Sequence, residues 1–402
     1  MDIGVQEVRV GNSKSGNAAV VTAGLRSVRG LALERFFAEL RGKAEHLLCT
    51  SDIEPYGLGE LLAEADPETL GLWHGLTLGY TEPSGHPLLR AEIAGLYANL
   101  EPENVLTFSG ADEAIFLTFT ALLRPGDHAV VTWPAYQSLH ELARASGAEV
   151  TLLPLAPRDG WAFDVEALRK AVRPSTRAIV VNFPHNPTGA LPSRETFAAI
   201  QAVAAEVGAV LVSDEVYRFL EHDSDDRLSP AADGGRRALS VGVMSKAFGL
   251  AGLRIGWVAT HDRELLSRIA TCKEYISSGS SAPSELLALV ALRSRDRVLE
   301  RSRALLVSNL EHLDEFFAEW EGVFEWVRPR AGCVCFPRLA QDLPVEELTV
   351  RLVREEGVLL VPGSVYDFPG NHFRLGFGRA DFPQALEGLH RFAARSLAGA
   401  RA

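Results

Sequence analysis

Between about residues 105 and 260 the apolar positions of this chain alternate between two periods. Short β-rich runs at 105–108, 128–133, 149–155, 177–183, 209–214, 239–244 and 255–260 have the length of buried strands. Between them, 110–123, 135–146, 164–172 and 193–207 carry apolar residues at helical spacing. Strands alternating with helices predict an α/β fold, a mostly parallel central sheet with helices on both faces. Leu31–Arg41 predicts an amphipathic helix, and 262–276 and 283–320 predict two more, the second long. Strands at Gly332–Pro337, Val358–Pro362 and Phe373–Gly376, with helices at 344–356 and 381–398, predict a smaller C-terminal α/β domain. The expected division is an N-terminal arm at 1–28, a small domain of 29–50 with 300–402, and a large domain at 51–299.

Composition narrows the function. The 402 residues are 47% hydrophobic, enough for two domains with large cores. A net charge of −12 argues against nucleic acid as a partner, because phosphate backbones select basic surfaces. No run approaches ~18 uninterrupted apolar residues, so no membrane partner is expected. The first 30 residues mix charges, and the apolar stretch Ala18–Leu25 is too short for a signal, which gives a cytoplasmic expectation. The four cysteines at 49, 272, 333 and 335 have neither metal nor disulfide spacing, so no metal is expected.

The chemistry sits where predicted strands end. One β-branched run delivers Ser245-Lys246-Ala247-Phe248 to a glycine-punctuated turn, with Arg254 eight residues past the lysine. Burial disfavours a lysine's charge. An aldehyde cofactor resolves this, since the amine becomes a Schiff base while a nearby arginine grips a phosphate. Upstream, a strand ends at Asp214 with Tyr217 three residues on. A carboxylate there suits a protonated pyridine nitrogen, and a phenol suits the ring's 3-oxygen. Pro184 and Pro187 restrict the backbone around Asn186, a donor for the same oxygen. Taken singly, Asn186-Pro187-Thr188-Gly189 is an ordinary turn and Asp214 an ordinary helix cap.

Taken together, Asn186-Pro187-Thr188-Gly189, Asp214 with Tyr217, Ser245-Lys246 and Arg254 resemble the class I/II aminotransferase family of fold-type-I enzymes that use pyridoxal 5'-phosphate (PLP). The resemblance runs from about Tyr80 to Arg374 and makes residues 51–299 the PLP-binding domain. It implies that backbone N–H groups of Gly110, Ala111 and Asp112 cradle the phosphate at a helix start, with the Asp112 side chain capping that helix. It further implies that Tyr136 stacks on the ring and that Tyr80 reaches the phosphate of a neighbouring subunit in a homodimer. Arg374 would fork onto the substrate α-carboxylate, as its planar donors allow. The segment Ser51–Pro55 falls at the substrate entry loop, so the main chain near Ile53 would touch the carboxylate. Two departures stand out: Val243 where relatives place a phosphate-binding hydroxyl, and Ile53 where they place a glycine.

The leading expectation is an aminotransferase that moves an amino group between an amino acid and a 2-oxo acid, with Lys246 as catalytic residue. The motifs are also similar to those of capreomycidine synthases, which cyclise a hydroxylated arginine, so a cyclase or lyase stays open. In that case Glu54 is the candidate to read a cationic side chain. A non-catalytic PLP-fold regulator fits poorly: the region before residue 50 is short and not basic, and Lys246 is kept.

Overall fold

The computed structural model describes residues 20–23 and 25–397, with side chains from residue 28 onward. Most of the expected arm at 1–28 lies outside the described residues. Its described part is an antiparallel hairpin of β1 (Val20–Ala23) and β2 (Leu25–Arg29). Helix α1 (Ala32–Leu40) follows as expected. Three short helices that the periodicity did not announce come next: α2 (Leu58–Ala63), α3 (Pro67–His74) and α4 (Pro87–Ala94). They are too short for a repeating apolar stripe to emerge. Their starts carry local signals instead: Asp66 accepts the Glu68 and Thr69 N–H groups, and Pro67 and Pro87 occupy first-turn positions.

The alternating core then appears in order: β3 (Val105–Phe108), α5 (Ala111–Leu122), β4 (His128–Trp133), α6 (Gln137–Ala145), β5 (Glu149–Pro154), α7 (Val165–Ala171), β6 (Thr176–Asn182), α8 (Arg194–Val207), β7 (Val210–Asp214), β8 (Ala238–Val243) and β9 (Gly256–Thr260). These strands form one seven-stranded sheet, ordered β3-β9-β8-β7-β6-β4-β5. Neighbours are parallel except at β9, which runs antiparallel to both β3 and β8. No crossover helix separates β8 from β9, so the chain returns beside itself. Along β6, Ile179 and Val181 face one helical layer while Ala178 and Val180 face the other. That two-sided burial is why these strands read as continuous apolar runs.

Helix α9 (Arg263–Lys273) packs on α5. The single helix expected over 283–320 is two, α10 (Ala282–Arg293) and α11 (Arg295–Glu319). The break is at Ser294, at φ −102° and ψ 20°, where its hydroxyl donates to the Val290 carbonyl at 2.8 Å. Such back-bonding competes with the helical ladder. Beyond β10 (Phe324–Glu325), β11 (Val334–Cys335), β12 (Arg338–Leu339), α12 (Val345–Glu356) and β13 (Val361–Pro362) come β14 (Phe373–Gly376) and α13 (Phe382–Ser396). The strands expected at 332–337 and 358–362 pair over only two residues each, on opposite edges and at opposite ends of β14. The segment before residue 50 joins this C-terminal layer: Glu45 and His46 N–H groups donate to the Gly357 carbonyl at 2.7 and 3.0 Å. Among the described residues no helix is long and apolar enough to cross a membrane.

Candidate active site

Asn182 and Asp214 are register partners, as are Asp214 and Val241, so three strand ends open onto one edge of the sheet. Ligands bind such sheets at the carboxyl ends of strands. A cleft of about 270 Å³ lies there. Its wall includes Lys246, Asp214, Asn186, Tyr217, Tyr136 and Arg254. Residues separated by more than a hundred positions in sequence are brought together.

Lys246 lies half-buried at the wall, and its Nζ donates to Ser51 Oγ at 3.0 Å. Desolvation lowers its pKa, opposed by the nearby Asp52 and Cys333. Asp214 is only 3% exposed, and Val216 N–H donates to its Oδ1 at 3.1 Å. Burial pushes this carboxyl up to about 7, against the help of that one N–H. A carboxylate so placed fits a cation beside it. Asn186 is held from behind, its N–H donating to Asn182 Oδ1 at 2.8 Å. Tyr217 reaches over the cleft floor and donates to the Ser51 carbonyl at 2.8 Å.

The anion corner is built from close backbone approach. Gly110 sits at φ +99° directly before α5, and a Cβ there would lie 2.5 Å from Arg254 Nη2. At Gly256 a Cβ would lie 2.7 Å from the Gly110 carbonyl carbon. Glycine is required at both points, and the result sets the start of α5 beside the Arg254 guanidinium. Arg254 Nη1 donates to the Ala251 carbonyl at 3.1 Å and to Ser245 Oγ at 3.5 Å. Asp112 does not cap α5, contrary to the sequence reading. Gly110 is the cap position, and Asp112 accepts from the Ser138 and Tyr136 hydroxyls at 2.8 and 3.3 Å. The Tyr136 ring is thereby fixed against the cleft. Val243 lines the cleft together with Ser245.

Other expected residues lie elsewhere. Arg374 is fully buried behind Asn186 instead of lining the cleft, donating to the Cys49 carbonyl at 2.6 Å and to Asn186 Oδ1 at 3.4 Å. The Ile53 side chain packs in the core at 1% exposure, so only its main chain is left beside the cleft-lining Asp52. Glu54 turns away, since its Oε2 accepts from Ala380 N–H at 2.9 Å. The chain bends at Asp52, and Ser51 and Asp52 line the cleft while Glu54, two residues on, is held by Ala380. Tyr80 is wholly exposed, away from this chain's own cleft.

Ser51, Asp52, Arg379 and Tyr366 escaped the sequence reading. Asp52 pairs with Arg379 at 2.9 Å on the cleft wall. Ser51 touches a lysine 195 positions away, and no local pattern announces such a contact.

Comparisons with known proteins agree with this geometry. The family model for aminotransferase class I and II matches residues 62–387. Capreomycidine synthase of Streptomyces vinaceus is 36% identical over 357 residues, 88% of this chain and 91% of that protein. Among solved structures, a PLP-dependent aminotransferase from Streptococcus suis superposes with TM-score 0.86 at 32% identity, covering 91% of this chain and 98% of that one. The PLP-dependent cyclase OrfR superposes with TM-score 0.83 at 34% identity, covering 92% and 99%. The chain therefore belongs to the class I and II aminotransferase family, and pyridoxal phosphate is its cofactor.

Proposed function

We propose that this enzyme moves an amino group between an amino acid and a 2-oxo acid, with Lys246 carrying the Cα proton. The observation behind this reading is the convergence of Lys246, Asp214 and Asn186 on one cleft from three separate strand ends. Bound PLP supplies an electron sink for the pair left when the Cα–H bond breaks. Asp214 would hold the ring nitrogen protonated, a cation that stabilises its ionised form. The Ala111 and Asp112 N–H groups with Arg254 and Ser245 would hold the phosphate. Tyr136 would cover the ring, Asn186 would donate to its oxygen, and Tyr217 would do so on turning its hydroxyl from the Ser51 carbonyl. Lys246, with its pKa lowered by burial, serves as base at Cα and then as acid, and Ser51 Oγ orients its Nζ. Arg374 is the candidate for the α-carboxylate: among the described residues it has no carboxylate partner, and its Nε has no hydrogen-bond partner.

The family acts on amino acids and 2-oxo acids, so small molecules are the substrates to test. A homodimer accounts for Tyr80. It is fully exposed, and Leu78, Tyr275 and Ile276 are exposed large apolar residues of the same kind. In a two-fold pair Tyr80 would reach the phosphate corner of the partner. The two-domain division would place the cleft between 51–299 and the unit formed by 29–50 with 300–402. A cytoplasmic location is part of this reading, supported by four free thiols.

Cyclisation or elimination on a cationic amino acid is the second reading. Asp52 favours it, as a carboxylate on the cleft wall that could take a guanidinium in place of Arg379. Similar proteins include a capreomycidine synthase and the PLP-dependent cyclase OrfR. One experiment separates the two. Holoenzyme is mixed with single amino acids, without oxo acid. Transfer predicts one equivalent of 2-oxo acid per site and loss of the visible absorption band. Multiple turnovers to a product that keeps its amino group would overturn transfer in favour of the second reading.

A further inference from the structure

Tyr366 has no role in the chemistry above, yet its hydroxyl lies between two residues that do. It is 4% exposed and follows β13, on the turn Gly363–Tyr366. Its Oη accepts a short hydrogen bond from Arg374 Nη1 and stands 3.4 Å from Asn186 Oδ1. The proton count is fixed by chemistry. A guanidinium only donates, so the hydroxyl must accept from Arg374 and give its single proton to Asn186 Oδ1. Arg374 Nη1 also donates to that oxygen at 3.4 Å. Two donors therefore hold the amide oxygen of Asn186 on the buried side. An amide has its nitrogen opposite, which directs Nδ2 into the cleft.

The surroundings hold this hydroxyl in place. The Phe336 ring meets Tyr366 edge-on, 5.8 Å between centroids. Gly363 approaches the His372 carbonyl so closely that a Cβ would lie 2.8 Å from it. Asp367, next in sequence at φ +55°, pairs with Arg29 at the end of β2. The turn is pinned from three sides, and the hydroxyl has little freedom to turn elsewhere.

We propose that Tyr366 is a positioning residue that couples the carboxylate-binding arginine Arg374 to the cofactor-facing amide of Asn186. Its hydroxyl aims Asn186 Nδ2 at the cofactor oxygen, and it senses whether Arg374 is engaged by a substrate carboxylate. When Arg374 turns its donors to a carboxylate, the Tyr366 oxygen loses a positive neighbour and becomes a poorer donor to Asn186. The amide then grips the cofactor oxygen differently. Substrate binding at one end is thereby reported at the other through two hydrogen bonds.

The inference rests on the PLP placement proposed above, and the experiment keeps the two distinguishable. Holo Tyr366→Phe, nearly isosteric, is titrated with pH while its visible band is followed. Asn186 donation favours the anionic cofactor oxygen and so lowers the proton affinity of the lysine-bound chromophore. The Phe variant is expected to titrate higher by roughly 0.5–1 pH unit, the size of one neutral hydrogen bond. A carboxylic acid without an amino group, which offers a carboxylate to Arg374 but leaves the lysine link intact, should displace the wild-type midpoint and displace that of the variant by less than half as much. Apo variant should also bind PLP more weakly, about threefold or more. An unchanged midpoint together with an unchanged ligand response overturns the coupling, even if the variant is less stable. If the Phe variant does not fold, site-specific 3-fluorotyrosine at 366, a stronger donor, should lower the midpoint, and an unmoved midpoint overturns the proposal. Loss of the covalent lysine link at Lys246 in wild type would instead sink the underlying PLP placement.

Discussion

Replacing Asp214 with Asn separates what a buried carboxylate costs from what it is for. In the cofactor-free chain this side chain is 3% exposed, with Val216 N–H as its donor at 3.1 Å. Burial pushes its carboxyl up to about 7, whereas an unfolded chain has an ordinary value of about 3.9. The folded state then binds the proton more tightly than the unfolded state. Stability is therefore lost as pH rises from about 4 to about 7, and the full penalty applies above that. The interval corresponds to on the order of 4 kcal/mol. Asparagine keeps the shape and the acceptor but carries no charge. Apo Asp214→Asn should accordingly be more stable than apo wild type at pH 8, by up to about 4 kcal/mol. At pH 5.5 the folded wild type is mostly protonated, and the gap should narrow by about 2 kcal/mol. Urea unfolding of both apoproteins at equal concentration and at the two pH values measures this. Adding PLP should reverse the order, because only the carboxylate gains from a protonated ring nitrogen. An apo variant no more stable than wild type at pH 8, or an equal gap at both pH values, would refute the reasoning.

Borohydride reduction of the holoenzyme should leave a phosphopyridoxyl label on Lys246; peptide mapping that finds it on another lysine contradicts the central assignment. Arg374→Ala should lower kcat/KM for every amino acid by similar factors, roughly ten- to a hundredfold, as expected for one lost charge-assisted pair. Asp52→Asn should penalise basic substrates alone if Asp52 reads the side chain, while Glu54→Gln, whose carboxylate is spent on Ala380, should leave side-chain preference unchanged. Ser51→Ala removes the 3.0 Å contact to Lys246 Nζ and should slow single-turnover proton transfer about three- to tenfold without preventing PLP binding. Sedimentation of PLP-saturated enzyme should give a dimer, and a stable monomer would remove Tyr80 from the site.

The strand–helix alternation from β3 to β9 was legible because every strand but the edge strand β5 is buried along nearly its whole length, while the helices between them keep a polar face. Lys246, Asp214 and Asn186 were legible because strand ends and rigid turns confine them locally. The Ser294 break in the long C-terminal helix was not, since serine is compatible with a helix and one residue at φ −102° and ψ 20° leaves no mark on the apolar period. Helices α2 to α4 were missed because their stability comes from packing on α10, which a short window does not contain.

The side chains at 51–54 mark the boundary between the two kinds of information. The sequence determined the fold class, because hydrophobic period and turn chemistry act over a few residues, and it pointed to the cofactor through short motifs that resemble those of the family. Only the tertiary structure decided that Asp52, not Glu54, faces the cleft, that Ser51 meets Lys246, and that Arg374 reaches Asn186 both directly and through Tyr366. Those choices depend on how the C-terminal layer docks against the sheet edge. Docking is set by contacts between residues hundreds of positions apart, such as Ser51 with Lys246 and Cys49 with Arg374, and no local period encodes those.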